Sequence, residues 1–246
     1  MRVALLSDVH ANLEALNACL ADAVARGADQ LVFLGDLVGY GADAIAVVGA
    51  VMQKTAEGAI AIKGNHDEAI DGPVSYFNDH ARAALDWARR TMPEEQKRFL
   101  AGLPLRVDRP PMCFVHATAA APERWDYVDS PTAAQKCADA AGAAYTFCGH
   151  LHDQVLYFET LQRKMSAFVP RANTAIPVRE TRRWVAIVGS VGQPRDRNPA
   201  AAYTTFDTER REITFHRVGY DHHTAAHKIR RAGLPEALAY RVEAGI

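Results

Sequence analysis

Short apolar runs alternate with amphipathic stretches along the first part of the chain. Val3 to Leu6 reads as a first strand. From about Asn12 the apolar residues Leu13, Leu16, Leu20, Ala23 and Val24 recur on one helical face, and Gly27 suits the stop. Leu31 to Leu34 predicts a second strand, about Asp43 to Lys54 a second helix, and Ala59 to Ile62 a third strand. Met112 to Val115 and Tyr145 to Cys148 are the fourth and fifth. Such alternation predicts repeated βαβ units around a largely parallel sheet. Between strands three and four lies an alanine- and arginine-rich helical pair with Leu85, Trp87, Phe99 and Leu100 as apolar anchors, and Pro93 opens its second helix. Residues 71–105 therefore read as a helical cap insertion. From Val155 the period changes to strands joined by turns, at Val155 to Phe158, Trp184 to Val188, Tyr203 to Phe206 and Ile213 to Phe215. These predict a second, mostly antiparallel sheet. Helices from about Thr224 to Arg231 and after Pro235 make up a C-terminal segment, residues 220–246. No repeat or low-complexity linker interrupts the pattern, so residues 1–246 read as one domain.

Composition narrows the class. The 246 residues are 49% hydrophobic and 23% charged, close to globular averages, which argues against disorder and fibrous repeats. Twenty-eight Lys and Arg against 29 Asp and Glu leave a net charge of −1, so no nucleic-acid platform or anionic-membrane footprint is evident. The apolar run at the start breaks at Asp8, too early for an export signal, and no stretch approaches about 18 uncharged apolar residues. A soluble cytoplasmic protein is expected. Cys19, Cys113, Cys137 and Cys148 lack C-x-x-C spacing and read as reduced core thiols. Nothing in the sequence separates a monomer from a homodimer.

The chemistry is concentrated at strand ends. In open α/β sheets, ligands bind where the loops leaving the carboxyl ends of the strands converge. Here those ends carry Asp8 and His10, Asp36, Asn65 and His66, His116, and His150 with His152. Singly, each has a plain explanation as a helix cap, a turn residue or a core histidine. Together they form an oxygen and imidazole set without thiolate, which suits Mn, Fe, Co, Zn, Ni or Mg rather than a structural zinc. Two Asp, one Asn and four of these five His make seven ligands, which exceed one tetrahedral ion and fit two ions sharing a bridging carboxylate.

Asp8-Val9-His10, Gly35-Asp36-Leu37-Val38-Gly39-Tyr40-Gly41, Gly64-Asn65-His66-Asp67, the strand-terminal His116 and Gly149-His150-Leu151-His152 match in order the five motifs of the calcineurin-like metallophosphoesterases. The chain resembles the small bacterial and archaeal phosphodiesterase type, since Gly189 to Arg195 and Ala232 to Pro235 also fit. The resemblance implies a four-layer αββα sandwich of two mixed β-sheets flanked by helices. It implies two divalent metal ions: Asp8, His10, Asp36 and His152 hold one, and Asp36, as the bridge, holds the other with Asn65, His116 and His150. The implied reaction is hydrolysis of a small phosphoester substrate by direct attack of a metal-bridging hydroxide. His66 protonates the leaving oxygen, Asp67 orients the His66 imidazole, and Asn65 and His66 contact the phosphate. Phosphodiester or nucleotide hydrolysis is the favoured activity. Phosphomonoesterase, protein phosphatase and dinucleoside polyphosphate hydrolase remain alternatives, with a nuclease or a non-catalytic scaffold further off.

Arg195 is the best further candidate for a substrate phosphate, because guanidinium matches phosphate oxygens bidentately; the alternative is a surface arginine paired with Asp196 or Glu180. Tyr40, Asn12 and Ser7 are weaker candidates for the cleft. His222, His223 and His227 include a pair one helical turn apart, but an exposed helix start accounts for them.

Overall fold

A computed structural model describes residues 1–246, with twelve strands and eight helices. In chain order the elements are β1 (Arg2–Leu6), α1 (Leu13–Ala25), β2 (Gln30–Phe33), α2 (Ala44–Ala56), β3 (Ile60–Ala61), α3 (Asn65–Glu68), α4 (Asp79–Thr91) and α5 (Glu94–Gly102). Then come β4 (Arg106–Arg109), β5 (Met112–Val115), α6 (Pro131–Ala141), β6 (Tyr145–Cys148), β7 (Gln154–Glu159), β8 (Met165–Phe168) and β9 (Ala175–Pro177). The last are β10 (Trp184–Val188), β11 (Ala201–Asp207), β12 (Glu212–Val218), α7 (His222–Arg231) and α8 (Glu236–Ala244).

The strands form two six-stranded mixed sheets, ordered β3-β2-β1-β11-β12-β9 and β4-β5-β6-β10-β7-β8. In the first, β1 runs parallel to β2 and antiparallel to β11, with Leu5 opposite Val32 and Thr204. In the second, β6 runs parallel to β5 and β10, while β7 returns antiparallel to β10. The period of two along each strand assigns its side chains to layers. Val3 and Leu5 of β1 meet Ala186 and Val188 of β10 in a core between the sheets, joined by Phe114, Phe147 and Phe206. The alternate residues Ala4 and Leu6 face outward onto α1, α2, α4, α5, α7 and α8. Val185 and Ile187 face the opposite way, onto Ala134, Cys137 and Ala138 of α6. Four layers result, helices and sheet on either side of one central apolar seam.

This architecture corrects the expected division into an early parallel sheet and a later antiparallel one. Strands β1 to β3 lie in one sheet and β5 and β6 in the other, and β10 and β11 are inserted beside the parallel strands of each. Local periodicity marks a strand but not its partner, and the partners here are up to about two hundred residues away. The helical pair α4–α5 joins the outer helical layer through Ala81, Leu85 and Leu100, while the loop ahead of it, with Tyr76, Phe77 and Asn78, reaches the cleft described below. Arg89 fastens that loop to α4 by donating from Nε to the Ala69 carbonyl at 2.9 Å and from Nη2 to that of Gly72. Val24, placed on the buried face of the first helix by its spacing, is 73% exposed. All four cysteines are buried and unbridged, Cys137 and Cys148 with sulfurs 4.0 Å apart. No helix is long and apolar enough to cross a membrane.

One buried histidine ties stability to pH. His216 on β12 contacts the Thr205 hydroxyl at 2.9 Å and Asn173 Oδ1 at 3.1 Å, and burial lowers its pKa to about 4. As pH falls below about 6.5, the unfolded chain takes a proton there that the folded chain refuses, so stability is lost as pH drops toward 4. His216→Gln keeps a hydrogen-bonding side chain without the titration. Urea denaturation at pH 7 and pH 5 is expected to show a smaller acid loss in the variant, by about 1–2 kcal/mol.

Candidate metal centre

The carboxyl ends of both sheets open toward one place. Asp8 and His10 follow β1, Asp36 follows β2, and Asn65 and His66 begin α3 after β3, all from the first sheet; His116, His150 and His152 follow β5 and β6 of the second. All eight side chains are buried. Backbone strain gathers at the same place. Thirteen non-glycine residues have φ in the left-handed region, and seven of them are Asp8, His10, Ala11, Asp36, Tyr40, His150 and His152. Such conformations are unfavourable for residues with a Cβ and persist only where surrounding structure enforces them. Here they turn successive side chains inward.

Three of the rings are locked by their outer nitrogens. His10 Nδ1 donates to the Val38 carbonyl at 3.0 Å, His152 Nδ1 to that of Gln193 at 2.6 Å, and His116 Nδ1 to that of Leu34 at 2.7 Å. These bonds set the tautomer and aim each Nε2 lone pair into the site. The carboxylates are divided in the same way. Asp8 Oδ2 accepts from the His150 amide at 2.9 Å and Asp36 Oδ1 from the His66 amide at 2.8 Å, leaving Asp8 Oδ1 and Asp36 Oδ2 facing inward.

Two sets of donors emerge. Asp8 Oδ1 lies 3.3 Å from His152 Nε2 and 3.8 Å from His10 Nε2. His116 Nε2 lies 3.1 Å from both Asn65 Oδ1 and His150 Nδ1. Asp36 Oδ2 faces both sets, 3.7 Å from His10 Nε2 and 3.4 Å from His116 Nε2. The groups Asp8–His10–His152, His10–Asp36–His66 and Asp36–His116–His150 each bring their ligand atoms within 4.8 Å of one another. The residues fit divalent cations on a further observation. His10 and His152 point Nε2 lone pairs at each other across 3.1 Å with no hydrogen available between them, and Asp8 Oδ1 is buried without a hydrogen-bond partner. A cation beside these atoms satisfies all three.

The titration behaviour agrees. Burial holds His10 and His152 well below the ordinary histidine value and His150 at about 3, so all three are neutral lone-pair donors. Burial raises Asp8 to about 6. Burial opposes a charge on His116 as well, but Asp36 and Asp8 outweigh it and raise this imidazole to about 9; Asp36 itself is held well below its ordinary value by His116 and His66 against its own burial. Without metal, a proton on His116 therefore stands where positive charge is wanted.

His66, Asn65, Asp36, His150, His152, Tyr40 and Arg195 line a cleft of about 580 Å³. Its geometry corrects one assigned role. Asp67 does not touch the His66 ring: Oδ1 accepts from the amides of Leu37 and Val38 at 2.9 and 3.4 Å, and Oδ2 from that of Gly64 at 2.9 Å. Asp67 thus clamps the Asp36 loop to α3. The His66 ring is held instead by packing, with Tyr40 and Phe77 each 4.7 Å away and Gly39 beneath it. A Cβ on Gly39 would stand 2.2 Å from His66 Nδ1, and its φ of +88° also favours glycine. Arg195 reaches the cleft and forms no ion pair; Asp196 pairs with Arg217 and Glu180 with Arg211. Its Nε is buried without a partner. Asn12 and Ser7 do not line the cleft: Asn12 caps α1 and bonds to the Gly192 carbonyl, and the Ser7 hydroxyl is buried at Leu34. His222 and His223 lie at the start of α7, apart from the ligand groups.

Comparison with known proteins decides the family. The model of the calcineurin-like phosphoesterase superfamily domain matches residues 1–211. The chain belongs to the calcineurin-like phosphoesterase superfamily. It is a phosphoester hydrolase of that metal-binding family. A metallophosphoesterase structure from Sphaerobacter thermophilus is 35% identical with a TM-score of 0.88, covering 100% of this chain and 99% of its own. An uncharacterised protein of Methanocaldococcus jannaschii is 33% identical over 249 residues, 99% of this chain and 98% of that one. A hypothetical protein of Pyrococcus horikoshii shares the fold at a TM-score of 0.80 and 19% identity, over 100% of this chain and 98% of its own.

Proposed function

We propose that this calcineurin-like phosphoesterase is a two-metal phosphodiesterase acting on small phosphodiesters. The observation that carries the reading is the single inward oxygen of Asp36 shared by two donor sets, 3.7 Å from His10 on one side and 3.4 Å from His116 on the other. Asp8, His10, His152 and Asp36 would hold one ion, and Asp36, Asn65, His116 and His150 the second. When bound, such a pair supplies a hydroxide nucleophile at neutral pH and neutralises charge on the phosphoryl group.

The chain's own residues supply position and protons. Arg195, free of any carboxylate, presents its guanidinium to non-bridging phosphate oxygens. His66 is neutral in the free cleft, since burial lowers it to about 4. A phosphate anion beside the ring favours its protonated form, and that proton passes to the departing alkoxide oxygen. Burial of the ligands excludes bulk water and strengthens each of these interactions.

The test is hydrolysis of bis-p-nitrophenyl phosphate against p-nitrophenyl phosphate by chelated enzyme refilled with Mn²⁺, Ni²⁺, Zn²⁺ or Mg²⁺. Metal-dependent diester cleavage is expected, with His66→Ala lowering kcat about 100- to 10,000-fold at unchanged metal content. A dominant monoester rate would move the assignment to a phosphomonoesterase. An inert protein under every ion would leave a scaffold.

A further inference from the structure

Two groups of contacting rings run outward from the metal centre into the cleft, one stacked on His150 and the other packed edge-on against His66. On one side the Tyr127 ring lies 4.1 Å from the His150 imidazole at 18°, and Tyr127 is 50% exposed. On the other, Phe77 packs on His66 at 4.7 Å, and Tyr76 lies on Phe77 at 4.3 Å and 30°, itself 55% exposed. Exposed rings gathered in the lining of one cleft give it an apolar surface suited to a planar ligand. Trp125 also lines the cleft, edge-on to His116, and is fixed by its Nε1 donating to Glu68 Oε2 at 3.0 Å. The turn that presents it is strained, with Ala121 and Trp125 both left-handed on either side of residues 122–124. None of these aromatic residues is a ligand or proton donor in the mechanism above.

We propose that this aromatic wall is a base-binding subsite, in which Tyr127 and Tyr76 stack the nucleobase of a nucleotidyl phosphodiester whose phosphate lies at the metal centre. The position of that phosphate rests on the phosphodiesterase reading; the stacking does not. A planar heterocycle continues either group of rings, and base–aromatic stacking tolerates any base. Glu123 and the free oxygen of Glu68 line the same cleft and offer carboxylate acceptors to ring and exocyclic N–H groups of a base. A cleft of about 580 Å³ takes a mononucleotide-sized ligand.

The test is calorimetric titration of the Mn²⁺-loaded chain with the non-hydrolysable 5′-phosphonate isosteres of AMP and of ribose 5-phosphate, which differ only in the base. The AMP isostere is expected to bind at least about tenfold more tightly, and Tyr76→Leu with Tyr127→Leu to reduce that gap below about threefold. A merely structural role for the tyrosines would shift both ligands together and preserve the ratio. Equal affinities in the wild type, including no binding of either, would overturn the proposal, as would a gap that survives in the double variant. Failure of the phosphodiesterase reading is seen separately, as absence of metal-dependent diester cleavage by the same preparation.

Discussion

Asp36→Asn is expected to lower kcat/KM for bis-p-nitrophenyl phosphate at least about 10,000-fold, the largest effect of any single substitution in the chain. The change is nearly isosteric. Asn retains an oxygen that can accept the His66 amide hydrogen now bound to Asp36 Oδ1, so the loop and α3 stay in place. What is lost is the negative charge on Oδ2, the one oxygen that faces His10 and His116 together. A neutral amide cannot balance two divalent cations, so both donor sets lose affinity at once. Elemental analysis of the purified variant should find less than one equivalent of metal per chain. Loss of activity with two equivalents retained would instead place Asp36 in proton transfer. His66→Ala supplies the contrast, with activity lost and metal kept.

Removal of metal should lower the melting temperature by about 10 °C. The site concentrates groups that fold badly without a cation: an unpartnered carboxylate oxygen on Asp8, two imidazole lone pairs 3.1 Å apart, and several left-handed residues. An ion present at about a thousand times its dissociation constant stabilises the folded state by about 4 kcal/mol, and each kcal/mol moves the melting point of a chain this long by about 2–4 °C. Scanning calorimetry with Mn²⁺ and with EDTA measures the shift directly. The same comparison on Asp36→Asn should show little difference. An unchanged melting point in the wild type would mean that the donors are satisfied without metal.

The candidate ligands were legible in the sequence because buried strands advertise their own ends. Val3 to Leu6, Met112 to Val115 and Tyr145 to Cys148 are short apolar runs, and the polar residues that follow them can only emerge on one edge. Which sheet each strand enters was not legible, since β10 and β11 find their partners across the chain through packing rather than local pattern. Helix α6 carries its own sequence signals: Ser130 caps it, Pro131 opens it and Gly142 closes it in the left-handed region. The bonds that aim the histidines left no mark at all. They end on the carbonyls of Leu34, Val38 and Gln193, which every residue possesses. Asp67 was misassigned because adjacency to His66 in sequence suggests a shared hydrogen bond, whereas the α3 turn directs its carboxylate back to the Gly64 and Leu37 amides. The aromatic wall lies on irregular segments, where periodicity has nothing to report.

Anomalous diffraction from crystals grown with Mn²⁺ tests most directly whether Asp36 joins two cation sites. Two peaks are expected about 3.5 to 4 Å apart on either side of Asp36 Oδ2, one among Asp8, His10 and His152 and the other among Asn65, His116 and His150. A single peak at saturating Mn²⁺, or peaks that do not share Asp36, would contradict the account.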